Sequence, residues 1–525
     1  MATPAVNLAA SLQVLKQLQD RGLVAIRATD MSRLHRERLL KNGFIREVMK
    51  GWYIPTRPDE LAGESTAWYA SFWAFCSGYL NERFGNEWCV SPEQSLILHA
   101  GDWTVPRQVL IRSPKGGNKP VPLPYETSIF DVRLELPPAA DTEIKDGLRL
   151  FNLPSALIAA SPTHFAAHPI PTRAALAAIT DASDVLSRLL AGGHSTVAGR
   201  LAGAFRNIGR ETIADNIVAT MRAAGYTVAE NDPFKALPPL AFALQETSPY
   251  VNRLRMTWDR MRADVLQNFS AKPRQTDIAA YLEHLDEVYV SDAYNSLSIE
   301  GYRVTPELIE RVRSGDWNPE SVEADRDHRD ALAARGYWQA FQRVKQSVEK
   351  VLSNQNAGLV AGADHGVWYR ELFGASVTAG LIKPEDLAGY RNGPVYIRRS
   401  MHVPPRQEAV RELMPAFFDL LQNEPEPAVR VVMGHFIFVY IHPYFDGNGR
   451  MGRFLMNVMM SSGGYPWAIV PLGRRNEYMA ALEQASVAQD IAPLARLLSS
   501  LVEGMPTNRT ARGRVAKVRL VKRSR

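Results

Sequence analysis

Two strongly apolar segments in the C-terminal half are separated by a short polar stretch. The first, 431–441, reads VVMGHFIFVYI and predicts a buried helix of about three turns. Pro443 cannot continue that helix without losing a backbone donor, so the chain should break there. Downstream, apolar residues recur at helical spacing up to Gly463, and these are Met451, Phe454, Leu455, Val458 and Met459. We therefore predict helices over 431–441 and 451–462 with a loop between them.

The first 60 residues have a different pattern, with two amphipathic helices followed by two short strands. The first helix is predicted by Leu8, Leu12, Leu15 and Leu18. Asp30 is the predicted N-cap of a second helix that ends at Asn42-Gly43. Residues 44–48 and 52–54 then predict a hairpin. This order is typical of a winged-helix module.

Residues 61–235 predict a mixed α/β domain that continues into helices. A buried aromatic helix is indicated at 68–73, and strands are indicated at 109–111 and 129–132, with Gly and Pro turns between them. Helices are expected over 174–224. Asn231-Asp232-Pro233 and Pro238-Pro239 mark the expected boundary before the next domain.

The predicted fold class is therefore mainly α. A helical core over about 250–500 is preceded by the winged-helix-like module (1–60) and the mixed α/β domain (61–235). No apolar run approaches the roughly 18 residues that a membrane span needs, and the N-terminus lacks the basic region of a signal peptide. Two cysteines are too few for a disulfide framework or a multi-cysteine zinc site. We expect a cytoplasmic protein with no membrane partner.

The net charge of +6 is located at the two ends of the chain. Residues 507–525 form a basic tail with eight Lys and Arg and no acid, and residues 21–57 hold nine Lys and Arg against three acids. Arg33, Arg36 and Arg38 on the second predicted helix could contact DNA phosphates. The alternative is a solvated basic face that docks on the acidic middle of the chain.

The polar stretch between the two C-terminal helices concentrates residues suited to phosphate chemistry. Gly447 and Gly449 can adopt positive φ, so the backbone around them and Asn448 can form an anion-binding nest at a helix N-terminus. Arg450 and Arg453 lie on one face of the first turn, with Met451 and Gly452 between them. Cations there oppose the helix dipole, which a bound polyphosphate would explain.

Two more residues complete this candidate site. Asp446 offers a hard oxygen ligand for Mg²⁺. His442 is the residue of the loop that can accept a proton near neutral pH. A His at a helix end, a GNG turn or an Asp before Gly is usually structural when it occurs alone. Their combination within a dozen residues favours a functional site.

The same residues raise a second interpretation, because 447–452 satisfies the G-x-G-x-x-G pattern of dinucleotide-binding folds. That fold requires the first Gly to follow a strand directly, yet residues 442–446 intervene. It also requires an acidic residue at the end of a second strand about 20 residues on, and none is present, although Arg474 and Arg475 would suit NADP. The pattern therefore disfavours a Rossmann fold.

Residues 442–453 resemble the H-P-F-x-[D/E]-G-N-G-R-x-x-R motif of the Fic family, with Tyr444 as the one departure. Members of this family usually transfer AMP from ATP to a protein hydroxyl. The resemblance covers about 250–500 and implies a helical Fic core with His442 and Arg450 as catalytic residues. It also implies that residues 446–453 bind the nucleotide and that Asp446 binds Mg²⁺. The implied substrates are ATP and a Ser, Thr or Tyr of a target protein.

A helix predicted to end at Gly301 carries a second match. Residues 296–301 resemble the [S/T]-x-x-x-E-[G/N] inhibitory motif of some Fic proteins, with Ser296 and Glu300 at its defining positions. The resemblance makes 285–301 an inhibitory helix whose Glu300 pairs with Arg453 and blocks placement of the γ-phosphate. The alternative is an exposed Glu at a helix end.

Two stretches match the family more loosely. Residues 395–405 look like the hairpin flap along which target backbones lie, with Ser400, Met401 and His402 near the nucleotide. Tyr478 occupies the place where the family has an aromatic residue against the adenine. The neighbouring positions Met479 and Ser486 differ from those of many relatives, so the base preference stays open.

The N-terminal module resembles the winged helix of AbiEi-type antitoxin regulators over about 50 residues. One alternative function is therefore that of a DNA-binding regulator that uses residues 21–57, and another is Fic-type transfer of a different phosphate-containing group. The target protein, a reverse AMP-removing reaction, self-modification and a homodimer also stay open at this stage.

Overall fold

A computed structural model describes residues 3–58, 65–234, 248–273, 277–317 and 328–503. The described chain is mainly α, as predicted, and its strands end at Phe151. The predicted basic tail at 507–525 and Pro238-Pro239 lie outside the described residues. Among the described helices, none combines the length and apolarity needed to cross a bilayer.

The N-terminal module consists of two helices and a three-stranded antiparallel sheet. Its elements are α1 (Pro4–Asp20), β1 (Ile26–Arg27), α2 (Arg33–Lys41), β2 (Ile45–Met49) and β3 (Trp52–Pro55). The strands lie in the order β1-β3-β2, and β2 and β3 form the predicted hairpin. Leu15, Leu39 and Ile45 form part of the small buried core between helices and sheet.

The second helix begins later than the sequence predicts. Ser32, not Asp30, is the N-cap of α2, and its hydroxyl accepts a hydrogen bond from the N–H of His35 at 3.3 Å. Asp30 instead accepts from the backbone N–H of Arg27 at 2.8 Å and from the Arg27 guanidinium at 3.0 Å. The prediction of Asp30 as the N-cap was therefore wrong, because its carboxylate is engaged by the preceding strand.

Two of the three arginines predicted to face DNA are used inside the module. Arg36 donates to the carbonyl of Ala28 at 2.7 Å, and Arg38 donates to the carbonyl of Asn7 at 3.5 Å. Arg33 is exposed and pairs with Glu37 at 2.6 Å. DNA binding stays a prediction, with less exposed positive charge on α2 than the sequence indicates.

Residues 65–151 form a mixed α/β layer. Its helices are α3 (Thr66–Phe84) and α4 (Pro92–His99). Its strands are β4 (Cys89–Val90), β5 (Gln108–Ser113), β6 (Pro120–Pro122), β7 (Ser128–Arg133), β8 (Thr142–Lys145) and β9 (Leu148–Phe151). The four-stranded sheet has the order β4-β5-β7-β6, with β5 and β7 parallel. Buried aromatic rings of α3, including Trp68 and Phe72, pack against this sheet.

A group of short helices follows and encloses its own apolar core. They are α5 (Leu153–Ala159), α6 (Pro162–Ala167), α7 (Pro169–Ala177), α8 (Ser183–Gly192), α9 (Ser195–Asn207) and α10 (Glu211–Ala223). This agrees with the expectation of helices after the α/β layer. The division of the chain into domains at 60, 235 and 250 stays a prediction.

The C-terminal half is a helical bundle around one large core. Its helices are α11 (Pro249–Asn268), α12 (Ile278–Ile299), α13 (Pro306–Ser314), α14 (His328–Leu352), α15 (Ala357–Thr378), α16 (Gln407–Asn423), α17 (Pro427–Ile441), α18 (Asn448–Ser462), α19 (Arg475–Glu483) and α20 (Ala492–Glu503). Helices α17 and α18 are almost entirely buried, which accounts for the apolar character of both segments. A π-helical turn, Gln484–Ala488, extends α19.

The segment 395–405, which lies between α15 and α16, was predicted to be a hairpin, and that prediction was wrong. A single turn links the N–H of Ser400 to the carbonyl of Ile397 at 3.2 Å, and no strand pairing is found among these residues. Pro394, Pro404 and Pro405 lack backbone donors, so the two arms cannot form a regular ladder. Side chains of the bundle hold this flap segment instead, as described below.

The N-terminal half contacts the bundle at the flap segment. The N–H of Val105 donates to the carbonyl of Met401 at 3.4 Å. Arg406, just after the flap segment, forms an ion pair with Asp146 and lies over the ring of Trp103 at 4.3 Å. The α/β layer is therefore in direct contact with a segment that borders the candidate site.

Candidate active site

The predicted loop lies between α17 and α18, but it is shorter than the sequence indicates. Helix α18 begins at Asn448 rather than at Met451. The side chain of Asn448 accepts from the N–H of Tyr444 at 2.9 Å and donates to the Tyr444 carbonyl at 2.8 Å, which closes the loop. Gly447 has φ +79, as the nest requires, whereas Gly449 is helical and needs no positive φ.

His442 is the C-cap of α17 and adopts a left-handed conformation, with φ 53 and ψ 59. Its Nδ1 lies 3.1 Å from the carbonyl of Val439, a geometry that assigns the ring proton to Nδ1. Nε2 is then free to accept a proton. Burial lowers the pKa of His442 to about 4, so the ring is neutral at pH 7.

Arg391 is a component of this site that sequence reasoning missed. Its Nε donates to the carbonyl of His442 at 2.8 Å, its backbone N–H donates to Pro443 at 2.9 Å, and Nη2 lies 3.4 Å from the carbonyl of Ile441. Further bonds go to the carbonyls of Gly393 and Pro405 at the two ends of the flap segment. Burial lowers the pKa of Arg391 to about 10, so it remains charged at neutral pH.

No periodicity marks Arg391, because its partners are backbone carbonyls distant in sequence. The only sequence signal is a basic residue between Tyr390 and the turn residues Asn392-Gly393. Arg391 joins the flap segment to the end of α17, and it therefore fixes the position of the His442 backbone.

Asp446 lies at the outer edge of the loop, with 68% of its side chain exposed. One carboxylate oxygen accepts from the N–H of Gly447 at 2.6 Å, and the other is 3.5 Å from Nη2 of Arg450. Within the described residues, no cluster of three or more His, Cys, Asp or Glu side chains could hold a metal ion. Mg²⁺ typically binds through one or two carboxylates together with phosphate oxygens and water, and an exposed Asp446 fits that kind of site.

Arg450 is buried beneath the loop. Its guanidinium lies 4.9 Å from the ring centre of Phe373 and 5.1 Å from that of Tyr302. Its Nε is buried without a hydrogen-bond partner. An unpaired charged donor next to a helix N-terminus favours an anion at this position.

Glu300 and Arg453 are brought together, as the resemblance implied. Nη2 of Arg453 lies 2.7 Å from Oε1 of Glu300, and the same guanidinium donates to the hydroxyl of Ser296 at 2.9 Å and to its carbonyl at 3.0 Å. Arg453 is almost fully buried, and burial by itself would lower its pKa, but the charge and hydrogen bond of Glu300 together with Tyr478 and Tyr337 raise the pKa above its ordinary value. Gly301 follows with φ +91 and ends α12.

The Glu300 carboxylate covers the N-terminus of α18. A Cβ placed on Gly449 would lie 2.3 Å from Oε1 of Glu300 and 3.2 Å from Nη1 of Arg453. Gly449 is therefore required by the close approach of a carboxylate. The anion position predicted from the sequence is occupied by an acidic side chain of the same chain. Met451 and Gly452 lie behind it in the buried first turns of α18.

The remaining predicted nucleotide contacts are placed differently. Tyr478 is 1% exposed, and its hydroxyl lies 2.7 Å from Nε2 of His435 on α17. His402 is 2% exposed, stacks on Tyr440 at 4.1 Å and donates from Nε2 to the Tyr440 carbonyl at 2.9 Å. Both residues therefore support α17 from behind in this structure and do not present an open surface. Burial of these polar rings was not readable from the sequence.

Ser400 and Met401 are both held by Glu483, a second residue that sequence reasoning missed. The Glu483 carboxylate accepts from the Ser400 hydroxyl and from the Met401 N–H at 2.8 Å. Glu483 terminates α19, so the flap segment is fixed to that helix. Arg475, at the start of α19, donates to the carbonyl of Ile299 at 2.9 Å and steadies the residue before Glu300.

Comparisons with known proteins match the same region. A family model described as "Fic/DOC family" matches residues 368–460. Protein adenylyltransferase Fic of Nematostella vectensis is 38% identical over 128 residues, which are 24% of this chain and 29% of that protein. The protein adenylyltransferase Fic of Drosophila willistoni is 34% identical over 128 residues, which are 24% of this chain and 25% of that protein. The matched region spans less than a third of these curated relatives.

Solved structures of low identity also align. The structure "Fic-1 (aa134 - 508) from C. elegans" aligns at 20% identity with a TM-score of 0.36, covering 61% of this chain and 89% of that one. A Fic domain containing signaling protein from Bacteroides thetaiotaomicron aligns at 17% identity with a TM-score of 0.32, covering 48% of this chain and 92% of that chain.

Proposed function

We propose that the protein is a protein adenylyltransferase of the Fic type, because residues 368–460 match the Fic/DOC family model. It transfers AMP from ATP to the hydroxyl of a Ser, Thr or Tyr of a target protein. The observation that carries the proposal is His442. Its ring is neutral, its Nε2 is free, and it adjoins a helix N-terminus with buried arginines.

The reaction follows from these groups. Nε2 of His442 accepts the proton of the target hydroxyl, whose oxygen attacks the α-phosphorus of ATP. The bond between the α-phosphorus and the oxygen that leads to the β-phosphate breaks, and pyrophosphate leaves. The N–H groups at the start of α18 and the guanidinium of Arg450 stabilise the negative charge on the α-phosphate.

Asp446 is the residue that would bind Mg²⁺, which neutralises phosphate charge when it is present. Its exposure and its place beside Gly447 and Arg450 suit that role. Asn448 keeps the loop closed through its two bonds to Tyr444 and does not need to contact the nucleotide for this.

Glu300 is proposed to hold the enzyme in a low-activity state. The γ-phosphate of ATP would require the anion position at the start of α18 that the Glu300 carboxylate occupies. Arg453 would be the partner that the carboxylate and the γ-phosphate share. Release of Glu300 would then place the α-phosphate in line with His442.

The test is label transfer with purified full-length protein and a cell extract as the source of targets. Protein bands should take up label from α-³²P-ATP and none from γ-³²P-ATP, most strongly with the Glu300→Gly variant, and His442→Ala should take up none. Labelling from γ-³²P-ATP without labelling from α-³²P-ATP would indicate phosphate transfer instead. No labelling with any nucleoside triphosphate would contradict an enzymatic function and favour the DNA-binding alternative. The cytoplasmic location, the homodimer and self-modification stay predictions.

A further inference from the structure

A cavity of about 690 Å³ lies between the N-terminal half and the helical bundle. One wall comes from the segments between Asp102 and Arg107 and around His168, and the opposite wall comes from α11 and α17. The π-helical turn after α19 closes one side. The cavity reaches Met401 and Ile441, but His442 and Glu300 do not line it. It therefore adjoins the active site and shares Met401 of the flap segment with it, whereas Arg253 belongs to the cavity alone.

Arg253 on α11 is the key polar group of this cavity. It is 7% exposed, and Nη2 donates to the hydroxyl of Tyr440. Nη1 is buried and makes no hydrogen bond, since the nearest carboxylate oxygen, on Asp102, is 3.8 Å away. A buried guanidinium N–H without an acceptor is costly, so an acceptor oxygen from a ligand would be strongly favoured here.

Other cavity residues suit an anionic ligand. Arg107 and Arg260 are exposed at the rim, and Arg260 donates to the side chain of Gln489 at 2.9 Å. Among the lining acids, Asp102 faces Arg253, and Glu483 already accepts from the flap segment. The tyrosine side chains at 250 and 440 add aromatic surface to the wall. The cavity volume falls within the range of about 300–1,000 Å³ that is typical of small-molecule sites.

We propose that this cavity binds an anionic metabolite of about nucleotide size, whose phosphate or carboxylate oxygens accept hydrogen bonds from Arg253. The planar guanidinium can bind either kind of oxyanion through two N–H groups. Arg107 and Arg260 attract the same charge at the entrance. The ligand is an effector and not the nucleotide that reacts at His442.

Binding in the cavity is coupled to the flap segment by direct contacts. Tyr440 accepts from Arg253 and stacks on His402 of the flap segment. Glu483, a lining residue, holds Ser400 and Met401. An anionic ligand that attracts Arg253 and repels the Glu483 carboxylate would change the position of the flap segment beside Arg391 and His442. This last consequence rests on the proposed adenylyl transfer, whereas the binding itself does not.

The test is calorimetric titration of the full-length protein with AMP and pyrophosphate as phosphate probes and citrate as a carboxylate probe. Binding of at least one probe should weaken about tenfold or more in Arg253→Lys, since Lys offers a point charge without the planar fork. Arg107→Ala combined with Arg260→Ala should also weaken it, and both residues are exposed enough to be replaced without loss of folding. The probe that binds identifies the oxyanion.

Two control variants separate this site from its surroundings. Arg255→Lys changes an arginine of the same helix that pairs with Asp419 and does not line the cavity, and it should bind as tightly as the native protein. Arg453→Ala removes the α18 arginine that pairs with Glu300 and should also leave binding intact. Absence of saturable binding for all probes would overturn the proposal. The proposal would also be overturned if binding were lost only in Arg453→Ala. It would be overturned as well if binding were unchanged in Arg253→Lys and in the combined Arg107→Ala and Arg260→Ala variant. Neither result would affect the label-transfer test of adenylyl transfer.

Discussion

Arg391 donates from Nε to the backbone carbonyl of His442 at 2.8 Å, and that histidine has a left-handed backbone. This conformation costs about 1–2 kcal/mol for a residue with a Cβ. Pro443 prevents α17 from continuing, and the carbonyls at its end need donors. Arg391 supplies donors to Ile441 and His442 at once. The orientation of the His442 imidazole, the proposed general base, therefore depends on a guanidinium 51 positions earlier in the chain.

Arg391→Lys should lower kcat for AMP transfer by roughly ten- to hundredfold, because an ammonium cannot satisfy these carbonyls in a fixed geometry. The KM for ATP should change much less, since Arg391 does not face the phosphate site. Initial-rate kinetics in the Glu300→Gly background would measure both constants.

Arg430→Lys is the matched control for this variant. Arg430 is partly buried and, like Arg391, donates to backbone carbonyls, here those of Glu424 and Pro425 at the opposite end of α17. Its replacement should leave kcat within about twofold. A similar loss of kcat in both variants would mean that Arg391 acts through the general stability of α17 rather than through His442.

His442→Ala should reduce transfer by roughly 10²–10⁴-fold, the usual contribution of a positioned general base. ATP binding should be retained, because the phosphate-facing groups belong to α18. Rates from label transfer and affinities from calorimetry would be compared on the same preparation. A parallel loss of ATP affinity would show that His442 is needed to shape the loop, and the general-base assignment would then fail.

Much of the site could be predicted because its chemistry is local in sequence. The helix break at Pro443 and the left-handed Gly447 follow from residue type and spacing, whereas the pairing of Glu300 with Arg453, 153 positions apart, was implied by the family resemblance. Arg391 and Glu483 escaped prediction because they act on backbone groups of the loop and flap segment through tertiary contacts. The burial of Tyr478 escaped prediction for a related reason, since its hydroxyl finds a buried partner on α17 instead of solvent.

In the fold, too, the features that are local in sequence were predicted and those that depend on tertiary contacts were not. Helices with a clear apolar face and strands with turn residues were predicted near their observed places. The hairpin at 395–405 was not, because proline removes the donors of a ladder and side chains from α19 replace it. The N-cap of α2 moved from Asp30 to Ser32 because Asp30 already bonds Arg27.

Substitutions at Glu300 should raise transfer in a graded order. Glu300→Gly removes the carboxylate and should raise the rate at least about tenfold, since one strong charge-assisted bond to Arg453 is lost. Glu300→Asp should raise it less, because a shorter carboxylate still attracts Arg453. The measurement is the rate of label transfer from α-³²P-ATP. If Glu300→Gly leaves the rate unchanged while His442→Ala abolishes it, the enzyme assignment stands and the inhibitory role of Glu300 does not.

The pH dependence of stability follows from buried histidines. Burial lowers the pKa to about 4 for His164, His402, His435 and His442. The unfolded chain binds these protons at about pH 6.5, so between pH 6.5 and 4 it carries more protons than the folded chain. The free energy of unfolding should therefore decrease as the pH falls from 6.5 to 4. Above pH 6.5 the histidines should no longer lower it.

Urea denaturation at pH 7, 6 and 5 would measure this slope. His164→Gln should reduce it by up to about 1.4 kcal/mol per pH unit, the limit for one proton. His164 lies on α6, far from the catalytic loop in sequence, so the same variant should keep its transfer activity. An unchanged slope would mean that His164 takes up its proton at the same pH in the folded protein as in the unfolded chain.

Gly449 offers a test of where the phosphates lie. Its backbone is helical, so Ala should be tolerated by α18 and should stabilise it by up to about 1 kcal/mol. The added methyl group would, however, occupy the position now taken by the Glu300 carboxylate, 2.3 Å from Oε1. In the Glu300→Gly background that position is free for the γ-phosphate.

In that background, Gly449→Ala should raise the KM for ATP by roughly tenfold while thermal stability is kept or increased. Steady-state kinetics and thermal unfolding would be measured on the double variant. A normal KM would show that the γ-phosphate does not use the anion position that Glu300 covers.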